Sequence, residues 1–124
     1  MLTVYEDRAA GSGRQIDLHI AVIPALSRSP APDPLFFLTC GPGQAATESY
    51  LFLAPAFDKI NQSRDIVLLD QRGTGGSHPL QCPLLDDAHV TDDQQLTAWV
   101  TACRDSLDAD LKLYTTVIGG IDHS

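Results

Sequence analysis

The sequence predicts an α/β domain in which antiparallel strands at the start lead into a mainly parallel β-α-β-α run. Three observations carry this prediction. Residues 14–25, RQIDLHIAVIPA, alternate Ile16, Leu18, Ile20 and Val22 against Gln15, Asp17, His19 and Ala21, the period of a strand with one wet face. Residues 35–39 (LFFLT) and 65–70 (DIVLLD) are short apolar runs, the pattern of strands covered on both faces of a sheet. Each run ends in a glycine-rich turn, and a stretch with helical spacing follows each turn. Strand, strand, helix, strand, helix is an α/β order.

The elements follow along the chain. The alternating strand is followed by a Pro/Ser loop, LSRSPAPDP at 26–34. LFFLT is expected in the middle of a sheet. After the turn GPGQAA at 41–46, the stretch TESYLFLAPAFDKI sets Tyr50, Leu51, Leu53, Ala54, Phe57 and Ile60 at helical spacing. Thr47 suits the N-cap, and Pro55 would kink or divide the helix. DIVLLD gives the next strand, and QRGTGGSHP the second glycine-rich turn. TDDQQLTAWVTACRDSL at 91–107 carries the clearest helix signal. Thr91 and Gln94 form a capping box there, and Asp92 and Asp93 suit the positive helix terminus. Leu96, Trp99, Val100, Cys103 and Leu107 make one apolar stripe, so Trp99 is expected in the core and Cys103 buried or bonded. In open α/β sheets, ligands meet the loops at the carboxyl ends of the strands, where both glycine turns lie.

Composition bounds the function. The chain has 124 residues, 44% hydrophobic and 19% charged, which describes one globular domain at most. A net charge of −8 and a pI near 4.6 make nucleic acid and anionic membranes poor partners. The acids are scattered apart from Asp86-Asp87 and Asp92-Asp93, as on a solvated acidic surface. No run of about 18 apolar residues exists to span a membrane. MLTVYEDRAAGSGRQ lacks a basic-then-apolar signal peptide, so the chain as written reads as cytosolic or as having lost a leader. Cys40, Cys82 and Cys103 contain no CxxC, which points away from zinc. Cys82 and Cys103 could pair in an exported protein, leaving Cys40 free; a reducing compartment would keep all three as thiols.

Two chemistries compete for the first glycine turn. Exposed backbone N–H groups there could hold a phosphate, because GPGQAA fits G-x-G-x-x-A after a strand and Asp70 could meet a ribose. A nucleotide site would then use Gly41, Gly43 and Asp70. Pro42 removes an N–H from that turn, the preceding strands look like a hairpin, and the second turn, Gly73 to Ser77, lacks the lysine of a P-loop. Alternatively, the turn stabilises an oxyanion formed during acyl transfer, a contribution of about 3 to 4 kcal/mol per donor. In α/β-hydrolases one such donor comes from the loop after the third strand, the place occupied here by Thr39 to Gly43.

FFLTCGPGQAA followed by DIVLLDQRGTGGSHPLQC resembles the proline iminopeptidase and tripeptidyl aminopeptidase branch of the α/β-hydrolases, from about Leu2 to Ile118. That family carries a [HT]-G-G-P-G turn and, one strand later, D-Q-R-G-x-G-x-S. Asp70 to Ser77 match the second motif. The first matches except that Cys40 replaces a glycine, which would strain the turn or narrow the oxyanion hole. A nucleophilic Cys40 would need a paired His or Asp, and none is evident.

The resemblance implies a serine hydrolase acting on short peptides, amides or esters through an acyl-enzyme, with no cofactor and no metal. It assigns the oxyanion turn to Cys40, Gly41 and Gly43. It gives Asp70, Gln71, Arg72 and Gly73 a mainly structural role, Asp70 and Arg72 tying their loop to neighbouring strands. The family's nucleophile sits in G-x-S-x-G. The nearest string here, Gly75-Gly76-Ser77-His78-Pro79, ends in proline and lies past the strand, so Ser77 and His78 read as loop residues. LYTTVI at 113–118 resembles the stretch before the elbow, GGIDHS departs from the helix expected next, and His123 is expected in a disordered tail.

The expectation is therefore residues 1–124 as the N-terminal part of an incomplete α/β-hydrolase core. Its later strands, nucleophile elbow, cap and triad are missing, and the resemblance is compatible with an exported full-length form. The chain would lack activity alone, take a small peptide substrate only when completed by the missing C-terminal part, and self-associate through an exposed sheet edge; the alternative is an interaction fragment completed by another chain.

Overall fold

The structure, a computed structural model, describes residues 1–39, 43–82 and 92–122. Its mixed α/β architecture begins with a hairpin that the sequence pattern did not separate out. Strand β1 (Leu2–Tyr5) pairs antiparallel with β2 (Gln15–Leu18), setting Leu2 opposite Leu18 and Tyr5 opposite Gln15. The hairpin closes where Glu6 N donates to Arg14 O at 2.8 Å.

The strand expected over 14–25 is two strands. After β2 the chain passes through His19 and continues as β3 (Ile20–Ile23), which belongs to a second sheet. The break has a cause: His19 N donates to the Ser77 hydroxyl (2.8 Å) instead of to a strand. The buried face switches here: Ile16, Leu18 and Ile20 pack together, whereas in β3 Ala21 and Ile23 pack against Ile66 and Leu68, and Val22, expected on the buried side, is 56% exposed.

In the second sheet the order is β3-β5-β4. The central strand is β5 (Ile66–Leu69), antiparallel to β3 with Ile20 opposite Leu69 and Ile23 opposite Ile66. Strand β4 (Leu35–Phe37) runs parallel to β5, with Leu35 opposite Ile66 and Phe37 opposite Leu68. The expectation that LFFLT lies mid-sheet is therefore corrected. Among the described residues β4 is an edge, and Phe36 and Leu38 stand 54% and 50% exposed. Continuous apolarity does not tell a strand flanked on both sides from an edge strand; only pairing does.

The crossover from β4 to β5 is helical. Helix α1 (Ala46–Leu53) passes into a 3₁₀ turn (Ala54–Phe57) and then helix α2 (Asp58–Asn61). Pro55 divides the helix, since its nitrogen has no hydrogen to donate. Tyr50 and Phe57 turn inward onto Phe37, with ring centroids 5.8 and 5.5 Å from it in edge-on geometry. Together with Ala46, Ile66 and Leu68 they form the main core, and Ile16, Leu18 and Leu69 form a second one beneath the hairpin. Leu51, Leu53 and Ile60, expected on the buried stripe, are exposed: α1 turns Ala46 and Tyr50 inward instead, and the change of helix type at Ala54 rotates Ile60 further along. Thr47 is not the N-cap: Ala45 holds that position with no side-chain bond, and Thr47 is the second helical residue.

Helix α3 (Asp93–Ser106) begins with Asp92, whose Oδ1 accepts from Gln95 N at 2.7 Å. The expected Thr91 cap lies outside the described residues. The apolar stripe of α3 is not a core face: none of its described residues is buried, Leu96 and Val100 are 43% and 50% exposed, and Trp99 is half-buried. After a 3₁₀ turn (Leu111–Leu113), helix α4 (Thr116–Asp122) continues through Gly119 and Gly120, past the point where a departure from helix was expected. His123 lies outside the described residues. No helix is long and apolar enough to cross a membrane among the described residues.

Candidate functional site

Asp70 follows the last residue of β5 and is fully buried. Its carboxylate collects four hydrogen bonds. Thr47 N donates to Oδ1 at 2.9 Å, while the Thr47 hydroxyl (3.0 Å), Gly76 N (3.1 Å) and His19 Nδ1 (3.1 Å) reach Oδ2. Burial alone raises the pKa of this carboxyl, but the donors outweigh burial and hold it below the ordinary aspartate value. Asp70 thus performs from a distance the capping expected of Thr47: it satisfies a first-turn N–H of α1 and presents negative charge to that helix's positive end.

The turn after Asp70 is shaped to let this happen. Gly73 N donates to Ser77 O (2.8 Å), and Ser77 N to Thr74 O (2.9 Å). The Gln71 carbonyl accepts from Thr74 N and from the Thr74 hydroxyl (3.0 and 2.8 Å). Gly75 has φ +48°, and a Cβ there would lie 2.3 Å from Asp70 Oδ2. Only glycine allows both that backbone angle and that approach.

Arg72 points the other way. Its side chain is 1% exposed and makes a two-pronged pair with Asp122, Nε to Oδ2 at 2.7 Å and Nη2 to Oδ1 at 2.9 Å. Its Nη1 donates to the Glu6 carbonyl (2.7 Å) and the Leu113 carbonyl (3.3 Å). Nearby, the Tyr114 hydroxyl donates to Glu6 Oε1 at 3.0 Å. Burial first, then that carboxylate, pushes the Tyr114 phenol above its ordinary value. Arg72 therefore joins the N-terminal hairpin to the last helix, a planar charged fork matched to a carboxylate.

The two glycine turns meet. Gly43, Gln71, Arg72 and Gly73 line one polar cleft of about 290 Å³, together with Tyr114 and Gly119. Cys40 and Gly41 lie outside the described residues. Gly43 has φ +76° with open space where a Cβ would stand, and the Thr39 hydroxyl donates to Gln44 O at 3.0 Å, pinning the ends of the turn together.

No family model and no curated protein matches the chain.

Ser77 and His78 do not form a nucleophile and base. Ser77 is fully buried, with its hydroxyl engaged by His19 N. His78 Nε2 lies 3.0 Å from the Asp108 carbonyl. Cys82 and Cys103 are joined by a disulfide, with 5.5 Å between their Cα atoms. Among the described residues no group of three His, Cys, Asp or Glu is placed to hold a metal.

Sequence reasoning missed His19 as a site residue. It sits on the polar side of an alternating strand, where a histidine is ordinarily solvated. Its pairing with Asp70 spans 51 residues of chain, and no local signal reports it.

Proposed function

We propose that this chain is the oxyanion side of a serine hydrolase of the proline iminopeptidase and tripeptidyl aminopeptidase type, built on an incomplete α/β-hydrolase core. What carries the reading is the meeting of Gly43 with Gln71, Arg72 and Gly73 around one polar cleft just past parallel strands β4 and β5. That is the end of an α/β sheet where ligands bind, and a turn held open there by glycine suits a backbone donor for a developing oxyanion. None of the described residues supplies the attacking serine, because Ser77 is sealed in the turn and His78 is turned toward Asp108. The unpaired outer edge of β4 is where further strands, of this polypeptide or another, would extend the sheet. A nucleotide site is less well supported, since the Asp70 carboxylate is enclosed and accepts four internal hydrogen bonds instead of a ribose hydroxyl.

The test uses the 124-residue chain with an aminoacyl p-nitroanilide and a fluorophosphonate label. The expected result is no turnover and no labelling alone, and both on co-expression with a chain carrying G-x-S-x-G and the remaining strands. Turnover at ordinary enzymatic rates by the chain alone, or none in the complemented pair, overturns the proposal. Nucleotide binding in calorimetry would favour the rival.

A further inference from the structure

Away from the polar cleft, a second cavity of about 450 Å³ opens between β3 and α1. Its walls are apolar: Ala21 and Ile23 from β3, Leu68 from β5, and Leu51 and Ala54 from the crossover. Two rings join them, that of Tyr50 from α1 and that of His19, whose side chain is 39% exposed. The His19 ring is fixed from behind. Asp70, an ionised acceptor with no hydrogen to give, takes the Nδ1–H, so the neutral imidazole carries its lone pair on Nε2. Among the described residues Nε2 has no hydrogen-bond partner.

We propose that this cavity binds a small apolar molecule carrying one hydroxyl group, an alcohol or phenol, whose O–H donates to His19 Nε2. The volume lies within the range of small-molecule sites, and an apolar wall with a small number of placed polar groups is their usual composition. A hydroxyl fits because Nε2 accepts. A carboxylate does not, because an acceptor would face an acceptor and the Glu48 side chain stands on the rim. Thr47 lines the cavity as well, but its hydroxyl is committed to Asp70. None of these residues lines the cleft beside Gly43, so the proposal stands whether or not the hydrolase reading does.

The experiment follows the imidazole nitrogens by long-range ¹H–¹⁵N NMR in the full chain, labelled at histidine, during titration with p-cresol, toluene and 4-methylbenzoate. p-Cresol is expected to shift the His19 Nε2 resonance saturably, with toluene and 4-methylbenzoate at least about tenfold weaker, the worth of one hydrogen bond. His19→Asn keeps a donor for Asp70 but removes the second nitrogen, and should bring p-cresol down to the affinity of toluene. Leu51→Asp, at a wall position 76% exposed and so harmless to folding, should weaken p-cresol and toluene alike. Equal affinity for p-cresol and toluene, an unmoved Nε2 resonance, or unchanged p-cresol binding in both variants would each overturn the proposal.

Discussion

Residues 70–77 and residues 92–106 are both polar stretches that begin with an aspartate capping a helix, yet they are held in the fold differently. Asp70 caps α1 from across the sheet, and every atom around it is committed: Thr47, Gly76 and His19 converge on its carboxylate, and Ser77 takes the next N–H. Asp92 caps its own helix from three residues away. That helix buries none of its described residues and is tied to residue 82 by a disulfide. A local cap forms wherever the helix forms. A distant cap forms only if the whole fold does, so it reports on the fold and its loss is felt everywhere.

The comparison breaks most sharply at Asp70. Asp70→Ala leaves Thr47 N and Gly76 N as donors facing a void, and is expected to cost about 3 to 5 kcal/mol in urea unfolding. Asp92→Ala, its counterpart, should cost about 1 kcal/mol. The pH dependence has the same origin. The folded carboxyl of Asp70 titrates below its unfolded value, so its contribution is present above the ordinary aspartate pKa of about 3.9 and is lost as pH falls through the lower folded value. Denaturant midpoints should therefore drop in acid for the native chain, with that component absent from Asp70→Ala.

Arg72→Met comes next. It leaves Asp122 buried with Arg8 Nε at 2.9 Å as its remaining ion pair. A loss of about 3 kcal/mol is expected, with amide exchange rising first in α4. Gly75→Ala should cost about 2 kcal/mol, because the positive φ and the 2.3 Å approach to Asp70 penalise any side chain. Gly43→Ala, with the same sign of φ but open space around it, should cost about 1 kcal/mol; equal costs at the two glycines would remove the packing part of the comparison. The smallest effect on the core belongs to the disulfide. Replacing Cys82 and Cys103 together by serine should move core unfolding by less than about 1 kcal/mol while α3 amides lose exchange protection, since α3 opens locally. A fall of about 3 kcal/mol, the full chain-entropy value for a loop of this size, would show instead that α3 and the core unfold as one unit.

How much could be read in advance follows from how local each signal is. Pro55 divided its helix because a missing N–H acts within one turn. The apolar runs around Phe36 and Val67 were both recognisable as strands, yet not as edge and centre, because both sequences bury enough carbon to satisfy either place. The stripe of Leu96, Trp99 and Val100 marked a helix face correctly and said nothing of what covers it. At the site, the second motif named Asp70 and Arg72, but their partners Thr47, His19 and Asp122 lie 23, 51 and 50 residues away.

By itself, the sequence determined the α/β class, the stretches that become strands and helices, and the two glycine turns at the strand ends, because periodicity, proline and glycine act on neighbouring backbone. Only the tertiary structure decided that β5 is central, that one alternating segment splits at His19, and that Asp70 caps a helix from another strand. Those outcomes depend on which groups remain unsatisfied once the sheet has closed, and a buried carboxylate finds its donors through space rather than along the chain.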